Sequence, residues 1–595
     1  MHNPIPIAKS PNFLSGLFFW ISILLVFFVY TVPMWVGPRP IPMLISPDEG
    51  WYAARLARAA QGQMVPGNPF LIEHSKSSNV VPTLTESILG ITLHVWNKIT
   101  NTDVSVETLI LLTRAILPIF IFILFFQAFQ FLEMSSILAT FCAFIILCDP
   151  EYIFCRSLLV NFGKNDFMFL NRIVNPLYNL PIFLLAWLAG LRAFFAHDSS
   201  ARTKWTLISG SLGGLLFYTS IYYWLHLGLA SFLIALLTKQ HKRWFVFSTS
   251  SILALFISLP YWIHSMSINS NPNYKNWVWV HGLLAHETNV WQLQSKTLWT
   301  AILISTVLLI KGSDKKKSLY ISTAVGLALY LSPIVTKITL QSWHWKYTFC
   351  PLGVACVIWS LSILSQRWRI PRIWLNVAVI SYTVVTFLAA FTVSSHQYAN
   401  ASKGDYIPEQ GMYTPTKNDL IVFRWIRENT PLDSVILAPV NMMTQIPIRT
   451  GRWVWSDNHM IADLVSLNEI YERYVVSWKL NHLTQDDVRA ATFSPKGDVV
   501  GVWSWGMPQN VFQTMASRRF PQIDTKISDE LSHLISQSYF NLSNQEVESI
   551  GKKYRLDYIW APQNVSDSWL QTFLRLKTEL IVGDTRLFKV LGWRQ

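Results

Sequence analysis

Charge and cysteine are what this chain has least of. Only 14% of its 595 residues are Asp, Glu, Lys or Arg, against about a quarter in an ordinary soluble domain. That scarcity excludes a soluble enzyme and a disordered chain as first readings. The five cysteines, Cys142, Cys148, Cys155, Cys350 and Cys356, all precede residue 396. The C-terminal part is therefore no disulfide scaffold, and no paired spacing marks a zinc site. No glycine-rich phosphate loop opens a helix near the C-terminus, and the sequence holds no internal repeat or low-complexity tract.

What is abundant is apolar sequence, 51% of the chain. Residues 1–395 carry 27 Lys and Arg against 13 Asp and Glu, whereas residues 396–595 carry 21 of each. The whole formal surplus of +14 thus punctuates the apolar part. A nucleic-acid binder would gather such charge on a water-exposed face, so no nucleic-acid partner is expected. Spanning helices need about 20 mostly apolar residues. Eleven runs qualify as candidates: 14–36, 107–128, 135–148, 173–195, 205–220, 221–238, 245–263, 291–310, 318–335, 348–365 and 373–394. The first is too long for a cleavable signal peptide, and no small-residue cleavage site follows it.

Lys and Arg concentrate in short connections at Arg192–Lys204, Lys239–Arg243, Lys311–Lys317 and Arg367–Arg372. The positive-inside rule makes these cytoplasmic, with the N-terminus inside. The long connections 37–106, 149–172, 264–290 and 336–347 then lie outside, as does the C-terminal segment. The expected fold class is a polytopic α-helical membrane protein with a transmembrane domain over 1–395. An extracytoplasmic (periplasmic or luminal) α/β domain follows over 396–595. Its first helix is announced by the capping-box pattern Thr416-x-x-Asp419 and stopped by Asn429-Thr430-Pro431. Ser434–Ala438 reads as a strand and Ile461–Lys479 as a helix. Near the end, Val547–Tyr554, Asp557–Ala561, Trp569–Leu576, Thr578–Val582 and Arg586–Val590 read as helix, strand, helix, strand, strand. In the first outside loop, Trp51–Gln61 and Leu84–Lys98 have the spacing of amphipathic helices lying in the interface.

The sharpest motif is Ser46-Pro47-Asp48-Glu49-Gly50-Trp51-Tyr52, just beyond the first apolar run. Two adjacent carboxylates at a membrane surface repel each other and cost desolvation. They serve as base, metal ligand or cap of the helix that follows, where a carboxylate suits the N-terminal dipole. A second polar loop opens with Asp149-Pro150-Glu151 and ends at Arg172, and Arg114 stands near the start of the second run.

A long first loop opening on Asp48-Glu49, two interfacial helices, a second acidic loop and a soluble C-terminal domain resemble the GT-C superfamily of membrane glycosyltransferases. That superfamily includes protein O-mannosyltransferases, aminoarabinose transferases and oligosaccharyltransferases. The resemblance implies inverting transfer of a sugar from a polyprenyl-phosphate donor to a protein, lipid or glycan acceptor on the extracytoplasmic face. It implies Asp48 as general base, or as ligand of a divalent cation such as Mg or Mn, with Glu49 as its neighbour or a structural cap. Asp149, Glu151 and Asp166 stand where a second acidic motif falls. Arg172 either snorkels to the interface at the start of its apolar run or contacts a phosphate, because a guanidinium fork matches phosphate oxygens. Lys337, His344 and Lys346, interleaved with Trp343 and Trp345, offer a lipid-phosphate clamp or an ordinary aromatic belt with snorkelling lysines. The rival readings are a multi-span transporter or flippase of lipid-linked glycans, and a non-catalytic scaffold of the same fold. A transporter would carry ionisable groups inside its spans, and these runs hold few.

Overall fold

The computed structural model describes residues 13–36, 49–64, 67–148, 170, 173–237, 241–274, 277, 313–336, 342–403, 415–457, 464–482, 541–561 and 565–594. Helix α1 (Phe13–Val36) is followed by two helices of the first loop, α2 (Glu49–Ala60) and α3 (Leu84–Thr100). Then come α4 (Val106–Phe131), α5 (Ser136–Cys148), a π-helical turn (Ile173–Tyr178), α6 (Leu180–Phe194), α7 (Ser199–Leu216), α8 (Ile221–Leu237) and α9 (His241–Asn269). After α10 (Asp314–Thr336) a 3-10 turn (Ser342–Trp345) leads into α11 (Lys346–Arg367) and α12 (Arg372–Lys403).

Among the described residues six helices are long and apolar enough to cross a membrane: Phe13–Val36, Val106–Phe131, Pro176–Phe194, Lys242–Asn269, Tyr347–Arg367 and Ile373–His396. Two further runs form shorter apolar helices, Ser136–Cys148 and Ile221–Leu237. The runs expected at 205–220 and 318–335 are helical as α7 and α10, but polar ends and small residues keep them out of the first group. The run at 291–310 lies outside the described residues. Between α7 and α8 the chain breaks in a turn at residues 217–219, giving two helices rather than one bent one. Cys142, Cys148, Cys350 and Cys356 are all buried.

Both first-loop helices form where the amphipathic spacing puts them. α3 ends on Asn101, in the left-handed region at φ 52°. α3 and α2 approach so closely at Gly90 that a β-carbon there would stand 2.4 Å from Ala59 Cβ and 2.6 Å from the Leu56 carbonyl. Ser105 caps α4 by accepting from the Thr108 N–H.

After residue 415 the chain builds α13 (Lys417–Asn429), β1 (Val435–Leu437), α14 (Val440–Met443), α15 (Gln445–Thr450), β2 (Trp453–Val454) and α16 (Leu467–Leu480). It closes with α17 (Asn544–Gly551), β3 (Tyr558–Ala561), α18 (Asp567–Phe573), β4 (Leu574–Val582) and β5 (Thr585–Trp593). The capping box at α13 is complete: the Thr416 N–H donates to Asp419 Oδ2 at 2.7 Å, and the Asp419 N–H to Thr416 Oγ1 at 3.2 Å. The five strands run in the order β2-β1-β3-β5-β4, with β1 parallel to β2 and β3 and the last three antiparallel. The helix expected over Trp569–Leu576 stops at Phe573, because Leu574 pairs with Trp593 at the start of β4. The helix expected from Ile461 starts at Leu467, capped by Ser466; residues 458–463 lie outside the described residues.

One apolar core runs through both parts. It joins Val26, Phe125 and Leu147 of the long helices to Trp51 and Phe70 of the first loop, and these to Phe423, Ile436 and Trp455 of the C-terminal segment. The first loop is therefore sandwiched between helix bundle and sheet.

Candidate functional site

The sandwiched loop brings buried charge to the bundle end that faces the sheet. Glu49 opens α2, where the helix dipole favours a carboxylate. Arg114 of α4 donates from Nη2 to both of its oxygens, at 2.8 Å to Oε1 and 2.9 Å to Oε2, and both side chains are fully buried. Next to this pair Thr113 Oγ1 and Tyr178 Oη share a 2.9 Å hydrogen bond. Tyr398 of α12 lies within electrostatic reach of both Glu49 and Arg114.

A second buried acid stands on the first turn of α3. Glu86 Oε2 accepts from Thr85 Oγ1 at 2.8 Å, and that hydroxyl lies 3.1 Å from Asn179 Oδ1. Its Oε1 lies 4.0 Å from Nη1 of Arg55. Arg55 stacks on Trp51, its guanidinium carbon 3.5 Å from the ring centroid, and donates to the Val81 carbonyl at 3.2 Å. Burial raises the Glu86 carboxyl above its ordinary value, and the Arg55 charge offsets only part of this. Tyr52 is raised by burial first and by the Glu86 charge second, and it also feels Arg55, Tyr222 and Tyr347. Those last two rings belong to an aromatic cluster around His344. Tyr222 stacks on the imidazole at 4.9 Å and meets Trp345 edge-on at 5.0 Å, and Tyr347 lies 5.7 Å from His344.

Of the residues singled out from sequence, Glu49 and His344 thus line the polar end of the bundle. Asp48, Asp149, Glu151, Asp166, Arg172 and Lys337 lie outside the described residues, as does the side chain of Lys346. Among the described residues no group of three or more His, Cys, Asp and Glu side chains could hold a metal ion. Sequence reading missed Glu86, Arg55, Tyr52 and Tyr178. Glu86 follows Thr83 by three positions, the spacing of a helix cap, so nothing but tertiary structure reveals its burial. In the fold Thr83 makes no side-chain cap, and Glu86 turns to Thr85 instead.

The chain thus joins a bundle of long apolar helices, a first loop that holds two short helices, and a C-terminal sheet closing over that loop. The archaeal oligosaccharyltransferase AglB from Archaeoglobus fulgidus, solved in complex with an inhibitory peptide and a dolichol-phosphate, aligns with a TM-score of 0.50 at 10% identity. The alignment covers 98% of this chain and 74% of that one. The apo form of an Archaeoglobus fulgidus oligosaccharyltransferase aligns at 0.49 and 11% identity, over 95% and 73% of the two chains. ArnT from Cupriavidus metallidurans, bound to undecaprenyl phosphate, aligns at 0.48 and 13% identity, over 75% and 86%. No protein-family model and no curated protein matches the sequence. Identities of this size speak to fold alone.

Proposed function

We propose that the chain is a membrane glycosyltransferase that moves a sugar from a polyprenyl-phosphate donor to an acceptor at the extracytoplasmic face. The observation that carries the reading is the anchoring of Glu49 by Arg114, which fixes the start of α2 directly after Asp48. With Glu49 paired to Arg114, this reading assigns the general base to Asp48, the other carboxylate of the acidic pair. The likeness in fold to an oligosaccharyltransferase solved with a dolichol-phosphate supports the donor class.

In this reading Asp48 takes the proton of the acceptor nucleophile as its oxygen or nitrogen attacks the anomeric carbon. The bond from that carbon to the phosphate oxygen breaks, the phosphate leaves with the electron pair, and the configuration inverts. Arg172, Lys337, His344 and Lys346 supply positive charge where the phosphate charge develops. Glu49, neutralised by Arg114, is the anchor rather than the base. About eleven spans, an inside N-terminus and an extracytoplasmic C-terminal domain belong to the same proposal, supported by the Lys and Arg of the short loops.

The test is turnover of radiolabelled polyprenyl-phosphate sugars by membranes holding the wild type or Asp48→Asn at equal expression. Wild-type release or transfer of sugar, lost in Asp48→Asn, is the expected result. Equal turnover by both removes Asp48 from catalysis. Absence of turnover by the wild type across a broad donor panel turns the reading toward a transporter or scaffold.

A further inference from the structure

Arg58 of the first loop makes four hydrogen bonds and a cation–π contact, and the proposed chemistry does not use it. It lies in the last turn of α2, is 1% exposed, and its partners are carbonyl oxygens rather than an acid. Nε donates to the Pro69 carbonyl at 3.0 Å. Nη1 donates to the Gly451 carbonyl at 2.9 Å and to Gln61 Oε1 at 3.3 Å, and Nη2 to the Arg452 carbonyl at 3.1 Å. The guanidinium carbon lies 3.3 Å from the ring centroid of Trp453. One planar group thus ties the end of α2 to the turn between α15 and β2, nearly 400 positions along the chain.

That turn is shaped to receive it. Gly451 has φ 72°, and a β-carbon there would stand 1.8 Å from Gln61 Nε2. Trp453 begins β2, at the sheet edge, and the next N–H, of Val454, donates to the Phe70 carbonyl of the first loop at 3.0 Å. Asn68 Oδ1 accepts from the N–H groups of Phe70 and Leu71, both at 2.8 Å, which holds that stretch in the shape that covers the edge. Ion pairs and a histidine–carboxylate hydrogen bond flank this contact. Arg473 meets Glu73 at 2.8 Å, His74 meets Glu469 at 2.9 Å, and Arg449 of α15 meets Glu107 of α4 at 2.7 Å.

We infer that Arg58 is a positioning residue through which the C-terminal sheet holds the acid-bearing end of α2 in register for catalysis. Nine helical steps, roughly 13.5 Å at 1.5 Å each, separate Arg58 from Glu49, and a helix that short transmits displacement of one end to the other. Glu49–Arg114 pins one end to the bundle and Arg58 pins the other to the sheet. Lysine cannot replace the fork, since an ammonium neither spans four acceptors in one plane nor stacks on indole as a guanidinium does. The catalytic half of this inference rests on the glycosyltransferase reading; the mechanical half does not.

The experiment compares the full-length wild type with Arg58→Lys and Arg58→Met in detergent, by hydrogen–deuterium exchange and by kcat and KM for a polyprenyl-phosphate sugar. The expected result is exchange of the Glu49–Ala60 amides at least tenfold faster in both variants, with β3 and β5 unchanged. In parallel kcat falls about a hundredfold, the penalty of a misplacement near 1 Å, while the donor KM stays within about threefold. Should Arg58→Met fail to fold, Arg58→Lys and Trp453→Leu carry the comparison. Unchanged exchange in α2 overturns the clamp. Faster exchange throughout the protein also overturns it, since that is loss of fold rather than of position. A loosened α2 with wild-type kcat overturns the positioning role alone. If the wild type turns over no donor, the glycosyltransferase reading and with it the positioning role fall, and the exchange of α2 alone decides the clamp.

Discussion

Removing one member of the Glu49–Arg114 pair has consequences that follow from its geometry. Arg114→Met keeps much of the side-chain volume and leaves the Glu49 carboxylate fully buried, stripped of the two contacts at 2.8 and 2.9 Å that neutralise it. Breaking a buried pair from one side costs about 3–5 kcal/mol, because the remaining carboxylate keeps its burial but loses its counter-charge. Replacing both partners with apolar residues of similar size removes the charges together and is near neutral to stability. The cycle of wild type, Arg114→Met, Glu49→Met and the double variant therefore has a specific form: two costly singles and an inexpensive double. Unfolding in denaturant, in detergent and followed by tryptophan fluorescence, measures the four corners. The two singles and the near-neutral double together give a coupling energy of about 6–10 kcal/mol in magnitude, above the range usual for neighbouring residues. Additive singles, or an Arg114→Met cost under about 1 kcal/mol, would refute the reasoning, since the pair would then be solvated. The double variant should also retain no more than a trace of donor turnover if α2 must be pinned there.

The buried Glu86 makes a prediction in pH. Its carboxyl is raised above the unfolded value of 4.5, so its stabilising contribution is complete below that value and is lost as pH rises through the folded pKa. Glu86→Gln, which carries no charge to bury, should therefore gain stability over the wild type as pH climbs from about 4.5 toward neutrality. Denaturation midpoints of the two proteins across that range check it, and a pH-independent difference would be the failing result. Gly90→Ala should cost about 1–3 kcal/mol through overpacking, because the new methyl meets Ala59 and the Leu56 carbonyl at the α2–α3 contact. Thermal unfolding reads this, and an unchanged midpoint would mean that α3 stands further from α2.

How much was legible in the sequence depends on how local each cause is. The capping box of Thr416 and Asp419, the helix stop after Asn429 and the amphipathic faces of α2 and α3 rest on contacts within a few residues. Periodicity and capping therefore report them directly. The apolar runs likewise announced α1, α4, α9, α11 and α12, because a membrane demands length and composition rather than partners. The tail's strand order was not legible, and neither was the early end of α18 at Phe573, which is set by the pairing of Leu574 with Trp593.

The site divides along the same line. Sequence alone determined that an acidic pair opens the first loop and that its following helix is amphipathic. Only tertiary structure decided that Glu49 is anchored, because its partner Arg114 lies 65 positions away. Only tertiary structure turned Glu86 from an apparent helix cap into a buried acid beside Arg55, and Arg58 from a charge on an interfacial helix into a tie to Gly451, Arg452 and Trp453. A side chain's type is written in one letter. Its protonation and its role depend on the dielectric and the donors around it, and those come from segments that meet only when the chain has folded.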